Sequence, residues 1–386
     1  MNRYDDLPLQ GLLVVDLSQF LAGPLAGLKL ADMGARVIKI ERPGRGDLCR
    51  QLYVSSTEIG GDSTVFHAIN RNKESFAADL KNPTDHQRVC QLIKQADVVI
   101  QNFRPGVIER LELDYQQVRA FKPDIIYGSI SGYGEQGPWR DRPGQDLLAQ
   151  ARSGLLWLSG DRASPPTPVG LPVADMLAGN NLAQGILAAL VRRGINGRGC
   201  KVETSLLEAL LDFQFELLTT YFNDRQRLTD RSGSNNAHAY LAAPYGVYQT
   251  ADGYLALAMT PSPGKLAELL GIERLAAYSE PKSWFEQRDE IKRIIQSHLR
   301  QHPTQVWLDK LQPADIWCAE IRDWPSLFAH EGFKVLEMTQ HILRDDGVTL
   351  TTTRNPLRFD DCVLKSSRAA PRIGQHTEAI IQEFGL

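Results

Sequence analysis

The run Leu12-Leu13-Val14-Val15-Asp16-Leu17 reads as a short buried strand, and with the elements after it in the chain it decides the fold. Gly23-Pro24 breaks the chain before a helix that ends near Gly34, and Val37-Ile38-Lys39-Ile40 supplies a second strand. The alternation continues. Asn82-Pro83 is a cap with proline at the first helical position, which opens a helix toward Gln95. Val98-Val99-Ile100, Ile125-Ile126-Tyr127-Gly128-Ser129 and Lys201-Val202-Glu203-Thr204-Ser205 read as further strands, the last leading into a helix from Leu206 to about Phe222. Strands alternating with helices predict an α/β fold with a parallel sheet covered on both faces.

Beyond residue 222 the pattern changes. Asn223 to Ala237 is polar, with Ser232-Gly233-Ser234-Asn235-Asn236 at its centre, and reads as a linker. Tyr245–Tyr248 and Tyr254–Ala258 flank the turn Ala251-Asp252-Gly253 as a hairpin, and helical patterns appear around 264–270, 284–299 and 304–311. The expected division is a large domain over 1–222, a linker at 223–238 and a small α+β domain over 239–325. Leu357-Arg358-Phe359 reads as a strand, and a terminal helix starts near Gln375.

Composition narrows the function. Among 386 residues, 43 Lys and Arg stand against 46 Asp and Glu, so no basic surplus points to nucleic acid and no charged tail to a membrane surface. Cys49, Cys90, Cys200, Cys318 and Cys362 are dispersed without Cys-x-x-Cys spacing, which fits a reducing compartment. The stretch Met1–Gln10 is polar, and no apolar run approaches the roughly 20 residues of a membrane span. A soluble, cytoplasmic protein is expected.

Asp175 is the strongest candidate for chemistry. It follows the proline-rich stretch 165–170 and opens an amphipathic segment, with Leu182, Ala183, Ile186, Leu187 and Leu190 at helical spacing, that ends near Arg192-Arg193-Gly194. A helix N-terminus favours the ionised carboxylate. Such a group can serve as a nucleophile, or simply as a helix cap. No Gly-x-Gly-x-x-Gly follows the first strand; the turn Phe20–Gly27 has small residues at Ala22 and Gly23, suited either to close ligand approach or to tight packing. Basic loops at strand ends (Glu41–Asp47, Asn70–Lys73, and Asn102–Gly106 with Arg110) can hold anionic groups beyond the sheet. No His, Cys and Asp cluster has metal-ligand spacing, and no Gly-x-Ser-x-Gly elbow is present.

Several ordered motifs carry a family resemblance: Leu21-Ala22-Gly23-Pro24, Asp32–Glu41, Asn72-Lys73-Glu74-Ser75, Asp79-Leu80-Lys81, Asn102-Phe103-Arg104-Pro105-Gly106, Ser131-Gly132-Tyr133-Gly134, Asp175 with Gly179, and Gly197-Arg198-Gly199. In this the chain resembles the class III CoA-transferases, the group of formyl-CoA transferase and carnitine CoA-transferase. The resemblance implies Asp175 as the nucleophile that forms a mixed anhydride and then an aspartyl-CoA thioester. It implies contacts to CoA from Leu21, Ala22, Arg42, Ala78, Lys81, Asn102, Phe103, Arg104 and Arg110. No permanently bound cofactor is implied; the CoA thioester and a carboxylic acid are substrates. A Rossmann-like large domain completed by the return segment 326–386, in a homodimer of interlocked rings, is implied as well.

Some positions depart from the family. A Gly-rich flap is not evident, and Asn235–Tyr240 only loosely matches the Asn-Arg-His-Pro stretch of many members. The α-methylacyl-CoA racemases resemble this chain too, but their Gly-His-Asp triplet stands here as Gly144-Gln145-Asp146. Glutamine is no general base, so transfer is expected over racemisation. A non-catalytic CoA-binding protein is the weaker alternative.

Overall fold

A computed structural model describes residues 7–259, 263–280 and 282–386. Met1–Asp6, part of the polar N-terminal stretch, lie outside the described residues. The chain forms two units, one from the segment up to Ala149 with Pro172–Phe213 and Val335–Leu386, the other from Gln150–Leu171 and Gln214–Lys334.

The first unit is built on a six-stranded parallel sheet: β1 (Leu13–Asp16), β2 (Arg36–Glu41), β3 (Lys73–Ala77), β4 (Val98–Gln101), β5 (Ile126–Ser131) and β6 (Cys200–Ser205). The strand order is β3-β2-β1-β4-β5-β6. Chain direction across the sheet therefore reverses between β1 and β4, and ligands of such sheets bind at the carboxyl ends beside that reversal. Helix α1 (Ala22–Asp32) follows β1, α2 (Pro83–Gln95) precedes β4, and α3 (Asp146–Ser153) and α4 (Val173–Asn196) stand between β5 and β6. Val15, Ile38, Val99, Ile125 and Tyr127 form the core with Val89, Leu92 and Ile93 of α2. The C-terminal helix Thr377–Phe384 adds Ile380 to this same core.

Local chemistry explains the starts. Asn82 caps α2 by accepting from the N–H groups of Thr84 and Asp85, with Pro83 first in the helix. Gly23 and Pro24 do not precede α1, as the sequence suggested, but sit in its first turn, where a proline lacks no needed donor. A Cβ on Gly23 would lie 2.3 Å from that of Ser18, so this glycine serves the tight turn.

The strand β3 went unread in the sequence, because its residues Lys73-Glu74-Ser75 are polar. All are buried, and Lys73 Nζ pairs with Asp16 Oδ2 at 2.9 Å. Lys39 Nζ joins Asp47 Oδ2 at 2.8 Å and the Ser18 carbonyl at 2.7 Å. Burial opposes ionisation of Asp16, but Lys73 and Lys39 more than offset it and hold the carboxyl below its usual range. Buried pairs of this kind specify one arrangement more than they stabilise it.

The second unit holds an antiparallel sheet of Gly246–Gln249, Tyr254–Leu257 and Cys318–Glu320 over a core of Tyr248, Leu255, Leu266, Trp284, Ile291, Ile295 and Trp307. The hairpin read in the sequence is present. Its helices include Pro263–Leu270, Arg288–Leu299 and Thr304–Leu311.

Three boundaries differ from the sequence reading. Gln150–Leu171 leaves the large unit: the Gln150 side chain donates to the Leu171 carbonyl and accepts from Val169 N, both at 3.2 Å, closing the segment on itself. The apolar run from Leu206 is two helices, broken at Gln214 (φ −94°, ψ 11°), where the chain passes between units. The expected linker is anchored, with Arg231 and Ser232 buried and Lys292 Nζ donating to Ser232 Oγ and the Asn235 carbonyl at 3.1 Å.

Candidate active site

Close backbone approaches at the carboxyl ends of the strands build the site. Just past β5 lies Gly132, and just before α3 lies Gly144. A Cβ on either would stand 2.6 Å from the other's Cα, so the two segments cross in direct contact. The next two residues lead into α3. Gln145 is exposed and its carbonyl accepts from Ala149 N at 2.9 Å, starting α3. Asp146 turns to the N-terminus of α4, where its Oδ2 accepts from Ala174 N at 2.7 Å and Asp175 N at 3.2 Å.

Helix α4 is thus capped from 28 residues upstream. Pro172, its own N-cap, has no side-chain cap bond. Asp175 lies in the first turn and is not the cap, which removes that alternative. Its protonation also reverses the sequence expectation. Burial first, and the charge of Asp146 second, push its carboxyl from 3.8 up to about 7. The helix dipole, worth about 0.3–1 kcal/mol near a surface, is the smaller effect.

One turn further, Gly179 meets α1. A Cβ there would lie 2.6 Å from the Ala22 carbonyl oxygen and 3.1 Å from a Leu25 methyl. The stripe Ala174, Ala178, Gly179 is small, so the first turn of α1 lies directly against the turn after Asp175. Leu21 is the N-cap of α1 and packs on a buried cluster containing Cys49 and Phe66; Ala22 is buried. Ala22 is thus covered by α4, and of the two only Leu21 keeps partial exposure.

A cavity of about 800 Å³ opens on the other side of the β1–α1 loop, lined among others by Gln19, Arg42, Ala78, Lys81, Phe103 and Arg110. Its volume falls in the range of small-molecule and cofactor sites. The sequence candidates Arg42, Ala78, Lys81, Phe103 and Arg110 therefore meet in one place. Arg42, Lys81 and Arg110 are exposed, and none has a carboxylate partner among the described residues. Arg104 is exposed in the neighbouring loop but does not line the cavity. Asn102 does not line it either; its side chain holds the backbone of Gln19. The basic loop Asn70–Lys73 is spent elsewhere, with Arg71 on Asp32 at 3.1 Å and Lys73 on Asp16.

Asp175 is not a lining residue of this cavity. The loop after β1 joins the two places, with Gln19 on the cavity wall and Ala22 against Gly179. Phe20 within it adopts φ 63° and is held by Asp47 Oδ1 at its N–H, 3.0 Å away. Sequence reasoning missed Asp146, Gln19 and Asp47. Asp146 was visible beside Gln145, but nothing in the sequence links it to a helix 28 residues on.

Comparison with known proteins agrees in both sequence and structure. Residues 9–377 match CoA-transferase family III. The chain is 32% identical over 388 residues to succinate–glutarate CoA-transferase of Agrobacterium fabrum, covering 98% of this chain and 96% of that one. It is 31% identical over 390 residues to succinyl-CoA:mesaconate CoA-transferase of Haloarcula hispanica, again covering 98% and 96%. A CAIB/BAIF family protein from Brucella suis superposes with a TM-score of 0.83 at 30% identity, covering 98% of this chain and all of that one. With a parallel sheet, a carboxyl in the first turn of α4 and relatives matched along their length, the chain belongs to CoA-transferase family III and is an enzyme of the transferase class.

Proposed function

We propose that the protein moves CoA from an acyl-CoA donor to a small carboxylic acid, with a dicarboxylate as the acceptor class, through a covalent intermediate on Asp175. The observation that carries this reading is the Asp175 carboxyl itself, raised to about 7 yet standing in a helix's first turn. A carboxylate that basic is a better nucleophile than an ordinary one, while about half of it is still ionised near neutral pH. The Asp175 carboxylate attacks the thioester carbonyl carbon, the C–S bond breaks, and CoA leaves as thiolate. The thiolate attacks the Asp175 acyl carbon of the mixed anhydride, releasing the donor acid and leaving an aspartyl-CoA thioester. The acceptor carboxylate attacks that thioester, thiolate leaves again, and its return to the acceptor's acyl carbon frees Asp175.

Arg42, Lys81 and Arg110 would pair with the CoA phosphates in the cavity, with Arg104 at its approach. Ala78 and Phe103 offer apolar wall to the adenine, while the half-buried Leu21, with Ala22 packed behind it, would guide the pantetheine arm toward Asp175. Asn102 acts through Gln19. The dicarboxylate class rests on the names of the relatives in Agrobacterium fabrum and Haloarcula hispanica. The working state is a homodimer of interlocked chains in the cytoplasm, a setting in keeping with five unpaired cysteines. Incubation with succinyl-CoA, trapping with hydroxylamine or borohydride and peptide mass spectrometry should find the modification on Asp175. An unmodified Asp175 in a protein that turns over would overturn the reading. Light scattering should give about twice 43.1 kDa, and a stable monomer would remove the interlocked dimer.

A further inference from the structure

A helix N-terminus can be capped by any short polar side chain, and Ser, Thr or Asn would satisfy its N–H groups as well as Asp. Here the cap is an acid from a distant segment, and it is set beside another acid. Asp146 Oδ2 accepts from Ala174 N at 2.7 Å and from Asp175 N at 3.2 Å, the latter being the nucleophile's own amide. The Gly132–Gly144 crossing fixes the backbone two residues before Asp146. Asp146 is therefore held in place from one side and grips α4 from the other.

We propose that Asp146 is a positioning residue for the transfer reaction: it seats the turn that carries Asp175 and places a second negative charge against the nucleophile. The proposal rests on the reading of Asp175 as nucleophile. Like charges repel, so charge on Asp146, which lies against the Asp175 amide, makes that on Asp175 more costly. Asp146 is the charged group that adds to burial in raising the Asp175 carboxyl. Burial and Asp146 together bring its carboxyl to about 7. The gain is basicity matched to working pH, which favours attack on a thioester while an appreciable fraction is ionised. A cap without charge would hold the turn equally well and leave a weaker nucleophile.

Two substitutions separate the roles. Asp146→Asn keeps an oxygen for both N–H groups and removes the charge; Asp146→Ala removes both. In Asp146→Asn the acid limb of kcat should move down by about one pH unit or more, and kcat on the alkaline plateau should fall about tenfold. KM for succinyl-CoA should stay within about twofold, since no substrate contact changes. Asp146→Ala should also lower the melting temperature. An acid limb in Asp146→Asn that coincides with the unsubstituted enzyme's would overturn the proposal, as would equal losses in both variants without a pH shift. If Asp146→Asn does not fold, Asp146→Ser decides: it offers an uncharged oxygen to the same N–H groups, adduct formation on Asp175 should shift its midpoint to lower pH, and a midpoint equal to the unsubstituted enzyme's overturns the proposal. Asp175→Asn keeps the nucleophile reading distinct. Loss of the adduct in that variant beside an unshifted limb in Asp146→Asn sinks only the Asp146 proposal. An adduct that persists in Asp175→Asn sinks both.

Discussion

Asn102 grips Gln19 in both directions: its Oδ1 accepts from Gln19 N at 2.8 Å and its Nδ2 donates to the Gln19 carbonyl at 2.7 Å. The two residues follow β4 and β1, the neighbouring parallel strands between which the strand order reverses. An amide carries a donor and an acceptor side by side, so it can satisfy both groups of a peptide at once. The loop between the cationic cavity and the Asp175 turn is thus locked to the adjoining strand end.

Asn102→Ala should free that loop. Two hydrogen bonds at about 1 kcal/mol each predict a variant that folds but melts lower, with KM for acyl-CoA raised about tenfold. Steady-state kinetics beside a thermal melt check this. Asn102→Asp keeps the acceptor, loses the donor and should fall between the two.

The cavity geometry ranks the arginines. Arg42→Ala and Arg110→Ala should each raise KM for a CoA thioester about tenfold or more, because a charge-assisted bond contributes about 1.5–3 kcal/mol. Arg104, outside the cavity lining, should matter less. Titration of CoA into the three variants checks the order, and equal effects from all three would place the phosphates elsewhere.

Asp175 should also leave a mark on stability. Its carboxyl rises from 3.8 to about 7 on folding, so the folded protein binds this proton more tightly than the unfolded chain does. The resulting stability is complete below the unfolded value and is lost as pH rises through about 7. Asp175→Asn escapes that loss. It should melt close to the unsubstituted protein at about pH 4 and higher at about pH 8, each kcal/mol raising Tm by about 2–4 °C. Calorimetry at both pH values decides. A difference independent of pH would mean that the carboxyl does not carry the strain.

Gln145 separates transfer from racemisation. With an amide at this exposed position, a 2-methylacyl-CoA incubated with the enzyme in deuterated water should gain no α-deuterium. Mass spectrometry of the recovered thioester reads the result. Rapid exchange without transfer to any acid tested would reverse the assigned reaction.

The sequence made the parallel sheet legible because four strands were apolar or largely apolar runs alternating with helical patterns, and the sixth, Cys200–Ser205, followed a long helix. It hid β3, whose Lys73, Glu74 and Ser75 are buried by pairing and not by hydrophobicity. Among the site residues, Arg42 and Arg110 were legible as charges at strand ends, whereas Lys81 was reached only through the family resemblance, since the strand before it was hidden. Arg71 and Lys73 had the same look but are consumed by Asp32 and Asp16, a distinction only the fold makes. The basicity of Asp175 was misjudged because a helix start is a local signal, whereas its burial and the nearness of Asp146 arise from packing.

The contact of Gly132 with Gly144 also bears on how such an enzyme can change over evolutionary time. Since neither position can carry a Cβ without a 2.6 Å clash, the joint tolerates almost no drift, yet the exposed residue directly after it is sterically unconstrained by the joint. Position 145 is a socket: the mount is rigid and the fitting exchangeable. A lineage can replace the side chain presented there without re-solving the problem of where to put it.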